Sequence, residues 1–163
     1  MNLTAAAAVR TNQATSESWE RPSPPDYAPI LKAAAEQFPA RPGYGDPYTA
    51  ADQQRVASAA MNGARTGAEV VLAARAVKDV FPARPGYGDQ YSVANQLDVV
   101  TAALGSWYEL DSMADRLKGI KQAMPARPGY GDPYTPQQQI DMAVALFSGR
   151  NPQGRFPLPQ PTG

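Results

Sequence analysis

The sequence predicts an all-α fold: three 43-residue helix–loop–helix repeats forming a short α-solenoid or compact helical bundle, with extended N- and C-terminal tails. Three observations carry this expectation. The octapeptide PARPGYGD occurs at residues 39–46, 82–89 and 125–132, at a fixed interval of 43 residues, and a period of that size marks a repeat array. The segments flanking each copy are rich in Ala, Leu and Lys, with apolar residues at helical spacing. Each flank also starts and stops on residues that begin and end helices.

The first helix of each repeat is read from DYAPILKAAAEQ, EVVLAARAVKD and SMADRLKGIKQA. In the first of these, Asp26 is placed to cap and Pro29 falls in the first turn. Each segment runs into a proline, and the residue before a proline is pushed out of the α region. Phe38, Phe81 and Met124 should therefore close these helices, their side chains folding back onto the core.

Next comes the shared loop. Arg41 precedes Pro42 and should be extended. Pro42-Gly43 fits the centre of a type II turn, with proline fixing φ at the first position and glycine supplying positive φ at the second. Gly45 allows a second unusual backbone angle, and Asp46 before Pro47 is extended again. The loop should be rigid and shaped.

The second helices are AADQQRVASAAMNG, VANQLDVVTAALGS and PQQQIDMAVALFSG. Thr49, Ser92 and Thr135 stand at N-cap positions, with Asp52, Asn95 and Gln138 three residues on, as in a capping box. Pro136 suits a first helical position. Leu97, Val100 and Leu104 fall on one helical face, as do Ile140, Val144 and Phe147. Gly63, Gly105 and Gly149 lie near the C-terminal ends.

The return connection over residues 62–66 is short, so the second helix of one repeat is expected against the first of the next. Thr66 and Glu69 form another capping box. In the third repeat the box moves to Ser112 and Asp115, which should delay that helix, with Trp107 and Tyr108 filling the linker. The register extends beyond the octapeptide: Tyr48, Tyr91 and Tyr134 align, and so do Gln53, Gln96 and Gln139. The many alanines permit close helix contacts over a thin core. The repeats are placed at about 23–65, 66–108 and 109–149 within a helical domain of 26–149. Residues 1–25 form a polar tail and residues 150–163, RNPQGRFPLPQPTG, a Pro-rich extended one. Both are expected to be disordered in the isolated chain.

Composition narrows the function. The formal net charge is zero, so the basic excess that drives phosphate-backbone binding is missing and nucleic acid is not expected as the main partner. The chain has no Cys and no His, which removes thiolate chemistry, disulfides, most zinc and haem sites and the commonest general base. The carboxylates are scattered, so no metal or cofactor is expected. GYGD lacks the lysine and the strand-to-helix setting of a phosphate loop. No apolar run approaches a membrane span, the N-terminal segment makes a poor secretory signal, and no compartment follows.

Two readings of the loop stand side by side. In the structural one, Arg41 pairs with Asp46 while Tyr44 and Tyr48 cover helix ends. In the functional one, the loops present equivalent groups to a protein partner, since Arg and Tyr are favoured interface anchors. The candidate partner-binding residues are Arg41, Tyr44, Asp46 and Tyr48, then Arg84, Tyr87, Asp89 and Tyr91, then Arg127, Tyr130, Asp132 and Tyr134. PPDY at residues 24–27 has the form of a WW-domain ligand, and PLPQP at 157–161 that of an aromatic-groove ligand. The expected function is non-enzymatic: attachment within a larger multi-subunit assembly, as a structural, stapling or decoration subunit of the kind a phage or virus particle carries. The alternative is a secreted effector or signalling adaptor whose repeated tyrosines, as in GDPYT, are phosphorylated or recognised.

Overall fold

The computed structural model describes residues 27–148, and these form six α-helices and no strand. They are α1 (Tyr27–Gln37), α2 (Ala50–Asn62), α3 (Gly67–Val80), α4 (Val93–Leu104), α5 (Met113–Ala123) and α6 (Pro136–Ser148), with a 3-10 turn at Leu110–Ser112 before α5. The expectations for Asp26, Gly149, the two tails, PLPQP and most of PPDY lie outside the described residues.

Helix ends follow local chemistry. Thr49, Thr66 and Ser92 each accept a hydrogen bond from the backbone three residues on, and the side chains there, Asp52, Glu69 and Asn95, accept one from the cap's own N–H, completing a capping box. Thr135 and Gln138 make the same reciprocal pair. These caps satisfy N–H groups that a helix start leaves without partners. At the other ends, Phe38, Phe81 and Met124 make the last backbone bond of α1, α3 and α5 and stop the helix. Ser112 differs from its expected role. Although α5 does start late, Ser112 makes no cap bond; its hydroxyl donates to the Glu109 carbonyl and accepts from Arg116 Nε. The 3-10 turn has already committed it.

Each PARPGYGD copy joins two helices that pack together, α1 with α2, α3 with α4 and α5 with α6. Between pairs, like packs on like: α1 on α3 and α3 on α5, α2 on α4 and α4 on α6. The expected packing of α2 against α3 is not among the substantial contacts, and the short connection between them turns the chain without layering those two helices. Gly63 shows how close the like helices come. A Cβ there would lie 1.9 Å from the Leu104 carbonyl oxygen, so the C-terminal ends of α2 and α4 meet only because that carbon is missing.

The core is continuous through all six helices. Phe38, Phe81 and Phe147 are its largest fully buried groups, set among alanines such as Ala34, Ala60, Ala74 and Ala103. Small alanines let helix axes approach, and the aromatic groups fill the spaces where helices diverge.

Candidate partner interface

The loop geometry starts at the turn. Tyr44 N–H donates to the Arg41 carbonyl at 3.3 Å, and Gly43 has φ +78°. This is the type II turn expected of Pro42-Gly43. Gly45 follows at φ +71°. The two positive angles fold the chain so that Asp46 returns to Arg41. Asp46 Oδ2 accepts from the Arg41 backbone N–H at 2.8 Å and from Nε at 2.9 Å, while Oδ1 accepts from Nη2 at 2.8 Å. Arg84 with Asp89 and Arg127 with Asp132 repeat the three bonds almost to the tenth of an ångström. Bidentate pairing of this kind fixes orientation as well as distance. The side-chain and backbone bonds from arginine hold the Asp46, Asp89 and Asp132 carboxyls down to about 2.

The braced guanidinium then serves as a platform. Tyr44 stacks on Arg41 with the guanidinium carbon 4.2 Å from the ring centroid, and Tyr87 on Arg84 and Tyr130 on Arg127 do so at the same 4.2 Å. These tyrosines remain 69%, 68% and 69% exposed. Each unit thus presents one aromatic ring, open on the face away from its arginine, at the outer end of a helix pair.

Tyr48 and Tyr91 are placed elsewhere. They are only 8% and 7% exposed, and each ring packs edge-on against the preceding phenylalanine, Phe38 or Phe81, at 5.0 Å. Their hydroxyls donate to the next unit: Tyr48 to Gln96 Oε1 at 2.6 Å and Tyr91 to Gln139 Oε1 at 2.5 Å. Burial pushes both phenols above their ordinary range. As candidates for a partner-facing surface they are corrected to interior residues, because the step from motif to helix turns their side chains inward. A kinase would reach either hydroxyl only after local unfolding. Tyr134, the third of the series, is 38% exposed.

Sequence reasoning aligned the glutamines without giving them a role. Gln53, Gln96 and Gln139 each donate Nε2 to the carbonyl just before the motif, at Phe38, Phe81 and Met124. Gln96 and Gln139 therefore join three chain segments with one amide, which satisfies buried polar groups that would otherwise be costly. Lys78 and Lys121 form a second series, donating Nζ to the last carbonyls of the preceding first helix, at Gln37 and Val80. Burial lowers the pKa of both. Arg65 gathers further carbonyls, at Leu104, Ser106 and Tyr108. Only the fixed spacing of glutamine hinted at these links.

Among the described residues no three carboxylates lie together as a metal site, and no helix is long and apolar enough to cross a membrane. Comparison with protein-family models, curated proteins and solved structures finds no match for this chain.

Proposed function

We propose that this chain is a non-enzymatic repeat protein that attaches to a larger protein assembly through its three PARPGYGD loops, as a structural, stapling or decoration subunit. In this reading the three helix pairs build a short α-solenoid, supported by the like-on-like packing of consecutive pairs. The observation that carries the proposal is the row of exposed tyrosines, each held at 4.2 Å on a braced arginine. An internal brace needs Arg and Asp but has no need of an outward aromatic ring. A rigid aromatic on a fixed base loses little entropy on contact, and such residues anchor interfaces. Three equal contacts made together reinforce one another.

The test replaces Tyr44, Tyr87 and Tyr130 by Ser, singly and together. The expected result is an unchanged melting temperature. Incorporation into the native complex, read from the mass of that complex, falls with each loop altered and is lost in the triple variant. A folded triple variant that is incorporated as before overturns the proposal.

A further inference from the structure

The two ends of the described helices carry the separate halves of the contact that joins neighbouring units. Inside the molecule the loop tyrosine of one unit donates to the glutamine of the next. Tyr134 is the third donor of that series, and no described acceptor follows it. Gln53 is the first acceptor; its Nε2 is engaged by the Phe38 carbonyl, while its Oε1 takes no tyrosine among the described residues. The apolar positions repeat this pattern. Val56 and Val99 are fully buried, but Met142, 43 residues beyond Val99, is 47% exposed. At the opposite end Ala74 and Leu117 are fully buried, but Leu31, their counterpart in the first unit, is 49% exposed.

We infer that the C-terminal end of one molecule receives the N-terminal end of a second copy, head to tail, with Tyr134 donating to Gln53 of the second copy. The occupant is argued from register: a second copy carries a glutamine acceptor and an uncovered leucine at the places where the internal units supply theirs. Such an interface is heterologous, each copy offering one end to the next, so association adds copies in series. Two substitutions weaken it. Ala35 stands where Lys78 and Lys121 donate to the preceding helix end, and exposed Gln54 stands where Leu97 and Ile140 are buried. The end-to-end contact therefore lacks one charged hydrogen bond and one apolar side chain, and it is concentration-dependent where the internal contact is permanent. It uses the ends and not the PARPGYGD octapeptides or their exposed tyrosines, so it stands or falls apart from the proposed function.

The experiment is sedimentation of the full-length chain from micromolar to near-millimolar concentration, with circular dichroism to verify folding. The expected result is reversible association that grows with concentration. Ala35→Lys combined with Gln54→Leu restores both missing groups and should tighten association about tenfold or more. Leu31→Glu and Met142→Glu each spoil one end and should leave only monomer. Mixing those two variants should produce dimer and nothing larger, because each retains the end that the other lacks. The Tyr-to-Ser triple loop variant should associate like the wild type. A wild-type chain that remains monomeric throughout overturns the inference, whatever the restored variant does, because Ala35 and Gln54 then act as a cap. Association that survives both glutamate variants overturns the end-on geometry.

Discussion

The loops and the helix interfaces solve two different problems, and their sequences diverge accordingly. A PARPGYGD loop is complete in itself: Arg41 and Asp46 bond to each other, and Tyr44 rests on Arg41. Nothing in that geometry refers to a neighbouring unit, so the same eight residues serve the first, middle and last positions equally. Helix positions instead face a neighbour that, among the described residues, the end units have on one side only. Residue 35 is Ala where 78 and 121 are Lys, and among the described residues no earlier helix end stands before it to accept such a bond. Residue 54 is Gln where 97 and 140 are buried Leu and Ile, because its side chain faces outward. Variation in the helices thus reports position in the array, whereas constancy in the loops reports a self-contained fold.

That contrast is sharpest at the glutamines. Gln96→Ala strands the Tyr48 hydroxyl and the Phe81 carbonyl, both buried, and should cost about 2–4 kcal/mol, against about 1 kcal/mol for Gln53→Ala, which breaks one bond. Urea unfolding of the two variants checks this, and equal losses would remove the distinction between middle and end. Gly63→Ala should follow, at about 1–3 kcal/mol, because its Cβ meets backbone that must move. Next, Tyr48→Phe should lose about 1 kcal/mol and Tyr134→Phe close to nothing, a difference readable as a shift in urea midpoint at constant m.

The loops contribute an effect whose pH dependence shows only in acid. Their aspartates titrate at about 2 when folded and near 3.9 when unfolded. The native state is thus the weaker proton binder, and the braces contribute in full above about pH 4. That contribution fades as pH falls through about 2. Asp46→Asn, Asp89→Asn and Asp132→Asn together should lower stability above about pH 4 and flatten the acid limb between about pH 4 and 2 in a series of thermal melts. An acid limb unchanged in the triple variant would show that the braces do not couple to folding.

Much of the fold was legible because it is written locally. A proline after Phe38, a threonine three residues before Asp52 and a Pro-Gly pair act within one turn of chain, and each behaves as its chemistry dictates. The link from Tyr48 to Gln96 spans 48 residues and depends on which helices stack. One sequence aligns Gln53, Gln96 and Gln139 but cannot tell that Gln96 and Gln139 each take a tyrosine hydroxyl from the preceding unit. For the same reason Tyr48 and Tyr91 read as loop residues beside Tyr44, although the structure turns them inward. Ser112 had the right neighbours for a cap, and the 3-10 turn used its hydroxyl first.

Like-on-like stacking also fixes a measure. Packed helices lie about 8–10 Å apart, and each PARPGYGD loop joins one stacked pair, so the outward tyrosines advance by a step of that order from unit to unit. In the proposed solenoid the molecule would be a short graduated rule, with Tyr44, Tyr87 and Tyr130 as its marks and the Lys78 and Gln96 links tying one division to the next. Duplicating residues 66–108 in frame would lengthen the rule by one division, since the inserted unit brings its own lysine, glutamine and loop tyrosine. A surface that fits all three marks must itself repeat at the same step.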